Sequence, residues 1–142
     1  MIKVVPFEPH HLSAVKAQPA QVSDQLTSGD LLAVQDHSWS FVDASGEIVA
    51  CFGLIKSHAQ HYTAWALLSC LPLSALIFAT RWCRAYLKMT DVRRIDCTVR
   101  ADFANGHQWA GLLGFEEEGV QSCFFEDGAD MVVYAMIRKD VP

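Results

Sequence analysis

The chain has 142 residues, of which 51% are hydrophobic and 19% charged, with a formal net charge of −5. That length suits one domain with one core, since a chain of this size buries about two thirds of its unfolded surface, and the apolar composition excludes disorder. The acidic balance, concentrated in Glu116-Glu117-Glu118 and Glu126-Asp127, excludes a nonspecific grip on nucleic acid, because the only local basic group is Arg81, Arg84, Lys88, Arg93 and Arg94.

Met1 to Pro6 reaches Glu8 and His10 without an apolar signal-like run, so a cytoplasmic location is expected. Ile2 to Phe7 is a β-prone run closed by Pro6 and Pro9. His10 to Gln18 then carries Leu12 and Val15 at helical spacing until Pro19 stops it. Ser23 and Asp24 can cap a second short helix through Leu26, which Ser28-Gly29-Asp30 ends before Leu31, Leu32 and Val34. Ser38 to Val42 and Ile48 to Ile55 predict a hairpin around Asp43-Ala44-Ser45-Gly46-Glu47, and Tyr62 to Leu68 predicts a third strand. The apolar runs at Ala64 to Leu68 and Leu71 to Ala79 fall short of the roughly 20 residues of a membrane span, and Ser69 and Ser74 interrupt them.

Leu73, Leu76, Ile77, Thr80, Cys83 and Leu87 recur at three- and four-residue intervals and predict an amphipathic helix over Leu73 to Leu87. Arg94 to Arg100 alternates Ile95, Cys97 and Val99 with polar residues, the period of a strand with one buried face. Gly106 to Leu113 predicts a short helix that Gly114 ends in a left-handed cap, and Phe115 starts an extended segment. Val120 to Phe125 and Met131 to Arg138 flank a turn at Glu126 to Asp130. The order is β-α-α-β-β-β-α-β-α-β-β. With neither repeat nor linker, residues 1–142 read as a single domain.

Few residues declare chemistry by themselves. His58 and His61 are spaced to share a metal on a helical turn, but no third ligand supports them, and no metal site is expected. Five cysteines without a CxxC pair read as reduced, mostly buried thiols; Cys70 follows the third hairpin strand and is expected to be buried rather than nucleophilic. Trp39, Trp65, Trp82 and Trp109 are expected in the core, with a ligand cleft or contact surface as the alternative for at least one of them. Glu116-Glu117-Glu118 reads as charge protecting an edge strand.

The element order, with Val99 to Phe115 running strand, Asn-containing turn, short helix, Gly114-Phe115, resembles the second half of a GNAT acetyltransferase, and Ser45 to Ala50 resembles that family's central turn. Ala64-Trp65-Ala66-Leu67-Leu68-Ser69, combined with Gly106 to Phe115, is similar to uncharacterised phage and prophage GNAT-like proteins, some related to internal virion proteins. The resemblance implies an α+β layered fold: a central mixed, largely antiparallel twisted sheet of six to seven strands with about four helices on both faces. It also implies acetyl-CoA as donor, a small amine or protein amine as acceptor, and cofactor contacts at Leu67, Leu68, Ser69, Ser74, Ala75, Leu76 and Asn105, although Asn-Gly is a common turn pair in any protein.

The sequence departs from the family pattern twice. Where active members carry Q/R-x-x-G-x-G/A, this chain has Ser69-Cys70-Leu71-Pro72-Leu73-Ser74-Ala75-Leu76, without glycine. Glycines there let backbone N–H groups approach the CoA pyrophosphate at a helix start, so side chains would crowd the donor here. Where many members place a proton-donating Tyr, this chain has Ala110; His107 and Tyr62 are the candidate replacements. The implied function is a divergent acetyl-CoA-dependent N-acetyltransferase in a bacterial cytoplasm. The alternative is a non-catalytic phage or prophage accessory protein, virion-associated or free, that binds a protein partner.

Overall fold

A computed structural model describes residues 1–18 and 37–141. Among the described residues seven strands form one sheet in the order β1-β2-β3-β4-β5-β7-β6. They are β1 (Lys3–Pro6), β2 (Ser38–Val42), β3 (Ile48–His58), β4 (His61–Leu68), β5 (Arg94–Arg100), β6 (Glu116–Gln121) and β7 (Met131–Ile137). The described residues hold three α-helices, α1 (His11–Ala14), α2 (Leu73–Met89) and α3 (Ala104–Leu113). The helix expected from Ser23 to Leu26, and the segment Leu31 to Val34 after it, lie outside the described residues. No helix among the described residues is long and apolar enough to cross a membrane.

Several boundaries differ from the expected ones. The first helix stops at Ala14 rather than Gln18, because Val15 is extended (φ −75°, ψ 128°) and Ala17 N–H closes a tight turn onto Val15 O. His58 and His61 do not share a helical turn: they flank the two-residue turn between β3 and β4. The strand after α3 starts at Glu116 and ends at Gln121, short of the expected Phe125. It is the sheet edge, so the three glutamates do occupy an exposed edge strand.

The described residues divide into two compact units. The first comprises Met1–Ile55 and Ala64–Trp82. In it β1 and β2, then β2 and β3, pair antiparallel, and Asp43 Oδ1 accepts N–H bonds from Ser45 and Glu47 to hold the β2–β3 turn. Gly46 supplies the positive φ of 87° that this turn requires. Phe7, Val15, Cys51 and Leu67 make one buried cluster, with Leu12, Ile55 and Trp65 packed against it. Phe41, almost fully buried, stacks edge-on with Phe78 and Trp82, and Trp82 also meets Trp39.

The second unit comprises Lys56–Thr63 and Cys83–Pro142. Here β5 pairs antiparallel with β7 along its full length, β6 pairs with β7, and His61, Tyr62 and Thr63 pair in parallel with Arg94, Ile95 and Asp96. Cys83, Leu87, Val92, Ile95, Leu113 and Phe115 are buried. Gly114, at φ 103°, caps α3: its N–H donates to Gly111 O while Phe115 N–H donates to Ala110 O.

Gly53 on β3 is required by close packing. An added Cβ would meet Ser38 Oγ at 2.1 Å and Trp65 Nε1 at 2.6 Å, and Ser38 is itself buried. Gly53→Ala should therefore destabilise the protein by about 1–3 kcal/mol through overpacking, read as a lowered urea midpoint. An unchanged midpoint would mean that the Trp65 ring moves aside freely.

Candidate functional site

In the first unit, Leu67 and Leu68 end β4, Ser69 to Pro72 connect, and α2 begins at Leu73. The side chains of Leu67, Leu68 and Ala75 are buried, so these residues can offer a ligand only main-chain groups. Leu68 O accepts the Gln18 N–H at 3.4 Å, and Ser69 sends its N–H (3.0 Å) and its hydroxyl (2.8 Å) to Val49 O. Leu76 N–H donates to Pro72 O, the first turn of the helical ladder. The N–H groups of Leu73, Ser74 and Ala75 precede that bond and, as first-turn donors, have no acceptor within a helix. Leu73 and Ser74 are exposed, so the helix start is open to solvent. It offers main-chain donors and the positive end of a 17-residue helix to an anion.

Cys70 is exposed, against the expectation of a buried thiol, because it lies in the connection beyond the end of β4. Burial pushes the thiols of Cys51 and Cys97 up to about 11 and about 12, and Cys83 higher still. These three are packing groups with negligible thiolate at neutral pH.

In the second unit, α3 starts at Ala104, two residues earlier than expected, so Asn105 and Gly106 belong to its first turn. Gly106 is closely packed there: a Cβ on it would meet the Phe103 ring at 2.6 Å and Val99 Cγ1 at 2.7 Å. His107 is held at both nitrogens. Its Nε2 lies 2.9 Å from Ala101 O, which can only accept, so in the neutral ring the proton sits on Nε2 and Nδ1 accepts the Tyr134 hydroxyl at 2.7 Å. Burial, with Glu117 and Cys97, keeps Tyr134 protonated by raising its pKa. Tyr62 is half-buried on β4, paired with Ile95. Neither Tyr134 nor its contact was visible in the sequence; the sole signal was the alternation of β7, whose register sets Tyr134 opposite Cys97.

A polar network surrounds Asp96 on the same unit. Thr63 Oγ1 donates to Oδ1 at 2.7 Å, while His61 Nε2 (2.8 Å) and Arg94 Nε (3.0 Å) reach Oδ2. Arg94 turns its two terminal nitrogens onto the Glu118 carboxylate at 2.8 and 2.6 Å. His61 thus bonds to Asp96, and His58 Nδ1 accepts the Gln60 N–H. Arg100 forms a second anchor, bonded to Asp102 and Asp127 and stacked 5.0 Å over the Phe125 ring, which fixes the connection from β6 to β7.

No known family profile and no curated protein matches this sequence. Solved structures do. A protein assigned as a phosphinothricin N-acetyltransferase superposes with a TM-score of 0.74 over 99% of this chain and 100% of its own, at 12% identity. The spermidine N-acetyltransferase of Vibrio cholerae, in complex with CoA and spermine, gives 0.70 over 99% and 97%, at 14% identity. A GNAT-family acetyltransferase from Bacillus anthracis gives 0.68 over 96% and 94%, at 12% identity. The chain therefore has the GNAT fold, a seven-stranded mixed sheet with α-helices.

The Asp96 network makes stability depend on acid. Burial pushes the Asp96 carboxyl up, but the bonds from Thr63, His61 and Arg94 outweigh it and hold it below its ordinary 3.8. A depressed carboxyl contributes stability that is complete above the unfolded value and is lost as pH falls through the folded one. The advantage of the natural protein over Asp96→Asn in urea midpoint should shrink as pH falls from about 5 to about 3. A difference independent of pH over that range would contradict the assignment.

Proposed function

We propose that residues 1–142 form one acetyl-CoA-dependent N-acetyltransferase domain of the cytoplasm, with a donor site that uses a helix start in place of a glycine loop. The observation that carries this reading is the open start of α2 directly after β4, where Leu73, Ser74 and Ala75 present N–H groups and Ser74 adds an exposed hydroxyl. Acetyl-CoA, when bound, supplies an acetyl group activated as a thioester and an anionic pyrophosphate. The residues present fit the pyrophosphate in charge, because first-turn N–H groups favour anions, and they fit less closely in shape, because Cβ atoms stand where the family has glycines. Leu67, Leu68 and Ser69 lead into this helix start, and Leu76 N–H closes its first turn onto Pro72 O.

The acceptor is an amine, on a small molecule or a protein. The CoA and spermine complex of the Vibrio cholerae enzyme supports a donor and amine pair on this fold. His107 and Tyr62 are the candidates for managing protons. The hydrogen bonds of His107 favour a relay over a free acid: the Tyr134 hydroxyl points its proton at Nδ1 while Nε2–H is spent on Ala101 O.

A second reading, a non-catalytic phage or prophage accessory protein acting through a protein partner, draws support from Leu73, Ile77 and Phe78, apolar side chains exposed on one stretch of α2.

Calorimetric titration separates the two. Acetyl-CoA and free CoA should bind in the micromolar range, and Ser74→Trp should weaken both by about tenfold or more, roughly 1.4 kcal/mol. The absence of binding at millimolar ligand would favour the accessory protein.

A further inference from the structure

Glu8, His10 and His11 bring one carboxylate and two imidazoles together, with ligand atoms all within 4.8 Å of one another. The chain turns sharply here: His11 N–H donates to Glu8 O at 2.9 Å, which places the Glu8 carboxylate 3.5 Å from His11 Nε2. The His10 and His11 rings lie 4.5 Å apart, centroid to centroid. Glu8 and His10 face solvent, whereas His11 is buried.

The buried member is also the anchored one. His11 Nδ1 lies 2.7 Å from Ser40 Oγ, and Ser40, itself fully buried on β2, lies 3.4 Å from Cys51 Sγ. Metal-binding imidazoles are commonly oriented in this way, one nitrogen on the ion and the other held by a buried partner. In the described structure Glu8 N–H also donates to Nδ1 at 3.2 Å, so the ring proton resides on Nε2. Ligation needs the other neutral tautomer: Nδ1–H donates to Ser40 Oγ, the Nε2 lone pair faces Glu8 and His10, and the Glu8 N–H turns to water.

We propose that Glu8, His10 and His11 form a divalent-metal site of the class that zinc occupies, with Ser40 as the positioning residue behind His11. Two imidazoles and a carboxylate are a set that zinc accepts in tetrahedral geometry, and the exposure of Glu8 and His10 leaves the fourth position to water. The ion would clamp the turn that joins β1 to α1 onto β2. The site is independent of the acyl-donor reading and stands or falls without it.

The test is calorimetric titration of chelator-stripped protein with zinc chloride, followed by cobalt(II) spectroscopy. One zinc per chain is expected. Glu8→Gln and His10→Ala, both at exposed positions, should each weaken binding by at least about tenfold. His58→Ala should leave it unchanged. Cobalt(II) should give ligand-field bands without the thiolate charge-transfer band that Cys70 or Cys123 would add. The absence of binding at millimolar zinc, binding that survives both substitutions, or a thiolate band would each overturn the proposal.

Discussion

Tyr62 beside Ile95 is the middle of three parallel residue pairs, His61 to Thr63 with Arg94 to Asp96, in a sheet whose β1–β2, β2–β3, β5–β7 and β6–β7 ladders are antiparallel. Parallel neighbours cannot be joined by a tight turn; they require a crossover of a dozen or more residues, usually a helix. Here α2 supplies it, entered after the four connecting residues Ser69 to Pro72. The start of a long helix soon after a strand end is where main-chain donors collect. The open helix start is thus a consequence of one strand pairing, with or without glycines in the connection before it. The missing glycines alter how closely an anion can approach, not whether N–H groups are presented.

Around β5 the physical logic changes from hydrophobic to ionic. Ile95 is buried on one face, while Arg94 and Asp96 on the other join Thr63, His61 and Glu118 in a network in which each carboxylate oxygen of Asp96 has a donor. Breaking one member of such a set strands the others, so its effect exceeds that of an isolated surface pair. Arg138 plays a related part at the end of β7, where its guanidinium bonds to the Leu87 and Thr90 carbonyl oxygens at the end of α2. These contacts answer the carbonyls that a helix C-terminus leaves open.

Much of this architecture was legible in the sequence, because strong periodicity survives into structure. Strict alternation marks Arg94 to Arg100 as a strand and a clean apolar stripe marks Leu73 to Leu87 as a helix, and the structure has both with at most two residues of difference. Gly114 was read as a left-handed cap and is one. One weak, short pattern misleads: Leu12 and Val15 suggest a longer helix than a segment with extended Val15 can form. Exposure at Cys70 was lost because an apolar neighbourhood in sequence says little about a connection beyond a strand end. The polar networks were illegible for a simpler reason. His61 and Asp96 stand 35 residues apart, and His107 and Tyr134 stand 27 apart, so no local pattern encodes their meeting. His11 and Ser40 were hidden in the same way.

The main chain at the start of α2 is the element on which the functional reading turns, and amide hydrogen exchange observes it directly. With acetyl-CoA present, the amides of Leu73, Ser74 and Ala75 should exchange more slowly than in the free protein, as N–H groups that hold a pyrophosphate are withdrawn from water. Exchange at those three amides that is unchanged by saturating acetyl-CoA, or protection confined to other segments, would contradict a donor site at this helix start.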